Sequence, residues 1–189
     1  MKDLFHGTTY DINNIDLTQG KGYKDFGKGF YATAIKNHAD NIARRNKYRL
    51  ESRDALLKRR GIKYHPTVYR AYRYNLEFDD DCIQNPKGLK VKVFSSADLE
   101  WMRFVLKNRE SEMSIHDYDI VIGPTADENT VTIINTYKED LIATDYADDI
   151  LKRLINELKP ENLPKQYFFG TEAALQKLRF KAVKREVVG

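Results

Sequence analysis

Apolar residues along the chain switch between a period of two and a period near three and a half, which predicts strands interspersed with helices. Residues 3–6 read as a short strand, 11–25 as a polar loop with Gly20 and Gly22, and 30–33 as a second strand. From Asn37 the spacing turns helical, with Ala39, Ile42 and Ala43 on one side. The helix is expected to continue, with a break, through residues 54–57 to Gly61, and Pro66 ends it. Residues 68–78 alternate as a long strand, with Val68, Arg70, Tyr72, Tyr74, Leu76 and Phe78 on one face, suited to a sheet edge or to ligand contact. Residues 89–94 alternate again, lysines outward.

Ser96 or Asp98 caps a helix carrying Leu99, Trp101, Met102, Phe104, Val105 and Leu106, dense enough in apolar positions to be buried, so Trp101 is expected in the core. Residues 120–123 form an apolar strand stopped by Pro124. Helices follow at 130–137 and 147–158, then a connector at 159–164 and a strand at 166–169. Thr171 caps a helix at 172–178, and a strand at 180–188 closes the chain. Strands towards both ends with helices between them describe one mixed α+β domain over residues 1–189.

A length of 189 residues is sufficient for one buried core, and 41% hydrophobic with 12% aromatic residues excludes a disordered chain. The single Cys82 has no internal disulfide partner and no companion metal ligands, so no metal is expected and a reducing cytoplasm is the expected compartment. No apolar stretch approaches a membrane span, and no apolar leader follows Met1. The net charge of +4 is unevenly placed. Residues 44–63 hold nine basic residues, Arg44, Arg45, Arg59 and Arg60 among them, against Glu51 and Asp54. Tyr48 and Tyr64 interleave with these charges, a combination suited to RNA or DNA and equally to a solvated helix face.

Two segments near the N-terminus carry the candidate chemistry. Leu4-Phe5-His6-Gly7-Thr8 runs an apolar pair into a turn, and Gly27-Lys28-Gly29-Phe30-Tyr31-Ala32-Thr33 brings an aromatic pair out of a glycine loop. Glycines let backbone approach a ligand closely, His6 offers a hydrogen bond, and Tyr31 a flat stacking surface. A histidine at a strand end and a glycine turn feeding a core strand are also ordinary structural features. The joint pattern resembles the ADP-ribosyltransferase superfamily of the diphtheria-toxin and poly(ADP-ribose) polymerase type. It is closer still to a bacterial and phage branch of it through Asp25-Phe26-Gly27-Lys28-Gly29-Phe30-Tyr31, Asp117-Tyr118-Asp119-Ile120-Val121-Ile122-Gly123-Pro124, and Gln166-Tyr167-Phe168-Phe169 with Thr171-Glu172.

The resemblance implies a split β-sandwich of two small sheets around an NAD cleft, with flanking helices. It implies that His6 holds the adenosine ribose, that the Gly7 backbone reads the nicotinamide carboxamide, and that Tyr31 stacks on nicotinamide. Thr8, Gly29 and Phe30 complete the expected NAD contacts, and Arg109 is a candidate for the pyrophosphate, or else a helix C-terminal cation. The family's catalytic glutamate is replaced by Gln166, which can orient a ribose but cannot act as a base; Glu172 and Asp25 are the other carboxylates within reach of the motifs. The expected activity is NAD-dependent mono-ADP-ribosyl transfer by a toxin or defence effector, with an antitoxin partner in view. Its acceptor is a macromolecule, RNA or DNA ahead of protein. A non-catalytic NAD or ADP-ribose binding module is the rival reading.

Overall fold

A computed structural model describes residues 1–63, 65, 67–126, 128–158 and 163–189. Pro66, Tyr64 and most of the expected connector, residues 159–162, lie outside them. The fold is α+β, with a mixed arrangement of strands, and the chain divides into two compact units assembled from interleaved segments. The first comprises Met1–Ile15, Ala32–Asp81 and Gln176–Gly189; the second comprises Asp16–Tyr31 and Cys82–Leu175. Strand β2 (Phe30–Thr33) contributes its first two residues to the second unit and its last two to the first.

In the first unit, β1 (Lys2–Thr8) pairs antiparallel with β3 (Tyr72–Phe78), from Lys2↔Phe78 to Thr8↔Tyr72, and with the end of β2 at Phe5↔Thr33. β7 (Leu178–Val187) adds antiparallel to the other side of β3, with an irregularity opposite the Tyr74–Leu76 step. β3 is therefore an interior strand, and Tyr74, Leu76 and Phe78 are fully buried. It begins at Tyr72, not at residue 68: Val68 is 88% exposed and joins no ladder. α1 (Lys36–Arg59) runs unbroken for 24 residues, correcting the expected interruption. It packs on β1 through Ala39 and Ala43, and the fit is close: a Cβ on Gly7 would lie 1.9 Å from the Ala39 carbonyl oxygen.

The second unit is built on β5 (Ile120–Pro124), buried along its whole length between parallel β4 (Val91–Val93) and antiparallel β6 (Lys165–Phe169). Burial on both sides explains why β5 reads as a continuous apolar run instead of an alternation. Asp98 accepts the Trp101 N–H at 2.9 Å and so starts α3 (Leu99–Arg109). Trp101 is fully buried, and its indole N–H donates to the Pro124 carbonyl at 3.0 Å. α4 (Glu128–Thr136) and α5 (Lys138–Ala143) replace the single helix expected at 130–137. α6 (Asp148–Leu158) buries Ile150, Leu151, Leu154 and Leu158 in a core shared with Phe26, Met102, Val121 and Phe168. Among the described residues there are also a 3-10 helix at Leu17–Gln19 and two four-residue helices: α2 (Asp81–Gln84), and α7 (Glu172–Leu175), which Thr171 caps through the Ala174 N–H at 3.2 Å. Among the described residues no helix is long and apolar enough to cross a membrane.

Candidate functional site

The glycine loop of the second unit is held shut by its own packing. A Cβ on Gly29 would meet the Phe168 ring at 2.4 Å and the Phe169 carbonyl oxygen at 2.7 Å. Gly27, at φ +85°, lies where a Cβ would be 2.3 Å from the Ser114 hydroxyl. These glycines are thus required by neighbouring protein atoms, whatever else approaches them. Phe30 is buried with its ring 6.5 Å from that of Phe169.

Tyr31 turns its hydroxyl back into the loop. The O–H donates to the Gly27 carbonyl at 2.7 Å and accepts the Phe26 N–H at 3.0 Å, while the ring packs edge-on to Phe168 at 5.3 Å. Burial, and then the nearby charge of Asp25, push its phenol well above the usual tyrosine range. The group therefore stays protonated near neutral pH and serves as a hydrogen-bonding anchor, not a base.

Asp25 is the hub of the site. It is 5% exposed, and its two oxygens accept three hydrogen bonds from three other segments beside an ion-pair contact with Arg109 Nη2. Oδ1 takes the Arg109 Nε–H at 2.7 Å, with Nη2 2.6 Å away as an ion-pair contact; Oδ2 takes the Ala126 N–H at 2.8 Å and the Gln166 Nε2 at 2.6 Å. Arg109 Nη2 also donates to the Ala126 carbonyl at 3.1 Å, and Gln166 Nε2 lies 3.3 Å from the Pro124 carbonyl. A two-pronged arginine–carboxylate contact with further donors satisfying the second oxygen is the arrangement in which a buried charge is tolerated. Arg109 is accordingly committed to the loop through Nε and Nη2. A pyrophosphate contact would have to use Nη1.

Two candidates from distant parts of the chain, Arg109 and Gln166, are thus gathered on one carboxylate within a single unit, and Tyr31 anchors the same loop through Phe26 and Gly27. Their sequence reading did not include His116 behind the loop. Its Nε2–H donates to the Phe26 carbonyl at 2.9 Å, its Nδ1 accepts the Tyr118 N–H at 3.1 Å, and its ring stacks on Phe104 at 4.8 Å. Burial lowers its pKa below the usual 6.5. The only local signal for it was its position just ahead of the Asp117-to-Pro124 motif. Glu172 sits in the first turn of α7, beside the Thr171 cap, and is not among the groups contacting Asp25.

The remaining candidates belong to the first unit. His6, half-buried on β1, stands opposite Tyr74 of β3; Gly7 packs under α1; Thr8 is buried and accepts the Tyr10 N–H at 3.2 Å. Arg44, Arg45, Arg59 and Arg60 are exposed on and just beyond α1, as are Arg49, Arg53, Lys58 and Lys63. The buried residues of α1 are Ala39, Asp40 and Ala43, so the helix has no buried position beyond its second turn. Asp40 there accepts from Arg73 Nη1 at 2.8 and 3.0 Å, a buried pair linking α1 to β3.

Residues 2–180 match the model of a family described as "Protein of unknown function (DUF3990)". A proteasome subunit beta type-4 from Drosophila melanogaster is 30% identical over 90 residues, 44% of this chain; the chain spans about a third (32%) of that protein's length. No solved structure matches.

Proposed function

The chain belongs to the DUF3990 family, and we propose that it is an NAD-dependent mono-ADP-ribosyltransferase acting on a macromolecular acceptor. The observation that carries the reading is the convergence of Arg109 and Gln166 on Asp25, in the loop that Tyr31 anchors through Phe26 and Gly27. These residues come from the glycine loop, the end of α3 and β6, and nothing in their local sequences requires them to meet. With Nε2 given to Asp25, the Gln166 amide has its Oε1 end for a ribose hydroxyl, and the neighbouring carboxylate polarises that amide. The assignments of His6, Gly7, Thr8, Gly29 and Phe30 to NAD, and the split β-sandwich around an NAD cleft, are parts of the same proposal and rest on the motif resemblance.

In the reaction the bond between the ribose anomeric carbon and the nicotinamide nitrogen breaks. The acceptor nucleophile bonds to that carbon, nicotinamide leaves, and the nucleophile's proton passes to solvent. The chain's part is positioning and electrostatics. Neither Gln166 nor the high-pKa Tyr31 supplies a base. This suits an acceptor with a neutral amine, such as a nucleobase. The exposed basic length of α1 favours nucleic acid over protein as that acceptor. The full occupation of both Asp25 oxygens favours the rival reading, a module that binds NAD or ADP-ribose without transfer.

The test is incubation of the protein with labelled NAD and, separately, total cellular RNA, DNA and protein. The expected result is nicotinamide release with label on nucleic acid. Gln166→Ala should reduce turnover more than NAD affinity. Reversing Arg59 and Arg60 to Glu should weaken nucleic-acid modification and flatten its salt dependence. NAD binding with no consumption in any arm would establish the binding module instead, and label on protein alone would move the acceptor.

A further inference from the structure

The glycine loop builds a second feature that the chemistry around Asp25 does not use. Lys21, Lys24, Lys28 and Tyr23, with Gly20, Gly22 and Glu112, line an open hollow of about 470 Å³, lying wholly within the second unit. Among its lining residues Lys21 and Lys28 stand against the one acid Glu112. Asp25, the acid between Lys24 and Lys28, has its oxygens held by Arg109, Ala126 and Gln166.

The backbone around the hollow is fixed in advance. The Tyr23 N–H donates to the Ser111 carbonyl at 2.9 Å, and the Lys28 N–H donates to the Ser114 hydroxyl at 2.9 Å. Gly22 lies so close to residue 112 that a Cβ would be 2.0 Å from the Glu112 carbonyl oxygen. A pinned loop presents its side chains without paying a further ordering cost on binding. Tyr23 sits at φ +58°, an unfavourable conformation for an aromatic residue, yet it is 59% exposed. A ring left largely in solvent offsets little of that backbone cost by packing, and such residues concentrate at binding sites.

We propose that this hollow binds a phosphorylated nucleoside, the phosphate held by Lys21 and Lys28 and the base set against the Tyr23 ring. The same chemistry is presented by a free nucleotide and by one unit of a single strand. Phosphate supplies the charge to match the lysines, and a base supplies the flat face to match the tyrosine. A volume of about 470 Å³ is in the range of small-molecule sites. The site is separate from the transfer chemistry proposed above, since neither Tyr31 nor Gln166 lines it.

The experiment is calorimetric titration of the full chain with ADP, adenosine, inorganic pyrophosphate and a ten-nucleotide single-stranded RNA. Each is repeated on Lys21→Ala/Lys28→Ala, Tyr23→Ala and Tyr31→Ala. ADP should bind at least tenfold more tightly than adenosine, and the double lysine variant should lose tenfold or more of ADP affinity. Tyr23→Ala should weaken ADP roughly five- to hundredfold while leaving pyrophosphate unchanged, the range expected for one lost base–aromatic contact. Oligonucleotide that displaces ADP and binds more tightly identifies a strand as the natural source; ADP binding untouched by oligonucleotide identifies a free nucleotide. Absence of binding by every phosphorylated probe overturns the proposal. So does ADP affinity unchanged in the lysine and Tyr23 variants but lost in Tyr31→Ala, which would leave the NAD reading standing alone.

Discussion

Replacing Asp25 with asparagine removes one charge and changes almost no volume, so its cost measures the hydrogen-bonded hub directly. The carboxylate accepts the Arg109 Nε–H on one oxygen, with Nη2 paired beside it, and the Ala126 N–H and Gln166 Nε2 on the other. An asparagine amide has one accepting oxygen and one donating nitrogen. Turned one way, its NH₂ group confronts the Arg109 guanidinium; turned the other way, it confronts the Ala126 N–H and the Gln166 amide. Asp25 is 5% and Ala126 7% exposed, so water cannot replace the lost acceptor there.

A buried group left without its partner costs about 1–3 kcal/mol. The Arg109 side chain is 24% exposed, which discounts the lost ion pair towards the low end. About 2 kcal/mol for the buried group left unmatched and about 1 kcal/mol for the ion pair give a total of about 3 kcal/mol, and for a chain of this size about 2–4 °C per kcal/mol converts it to a fall of about 6–12 °C in Tm. Differential scanning calorimetry at neutral pH reads it. A fall below about 2 °C would refute the hub as described. If stability were unchanged while NAD turnover per folded molecule collapsed, Asp25 would act on the substrate and not on the loop.

Two further outcomes follow from the same unit. Gly29→Ala would drive a methyl group to 2.4 Å from Phe168, which is fully buried, so overpacking should cost about 1–3 kcal/mol and lower the urea midpoint; an unchanged midpoint would mean that the loop has room to spare. His116 is held neutral, with a folded pKa below 6.5, so the unfolded chain takes its proton first: stability should be level above about pH 6.5 and fall as pH drops through that value towards the folded pKa. His116→Gln should reduce that acid slope in Tm measured from pH 5 to 8, and equal slopes in the two proteins would exclude the histidine as its source.

The elements that were legible in sequence are those whose cause is local. β5 announces itself by four residues ended by proline, α6 by apolar residues at helical spacing, and α3 by the Asp98 cap. The errors arise where distant partners decide. α1 continues past the expected break, where Asp54 accepts from Arg53 beside it and from Tyr69 farther along the chain, and it runs on to Arg59. β3 could be read as an edge strand until β7, a hundred residues later, is seen to cover it. The glycines of both N-terminal segments were visible, but the atoms that require them, on Ala39, Ser114 and Phe168, belong to other elements.

Gln166 shows most clearly what chain pattern conveys and what it withholds. Its departure from the glutamate of the resembling superfamily is visible in the sequence, and on that evidence alone it looks like a loss. In the fold its Nε2 lies 2.6 Å from Asp25 Oδ2, across 141 positions of chain. A glutamate in the same place would set two carboxylates against each other in a largely buried site, where one of them must take up a proton or turn away. The amide instead donates to Asp25, and Asp25 in turn holds Arg109 and the backbone at Ala126. Glutamine at 166 is thus the residue type that an aspartate at 25 allows, and the two positions form one unit of design. Gln166→Glu alone should therefore disturb the loop, and only a paired change at Asp25 would make room for the carboxylate.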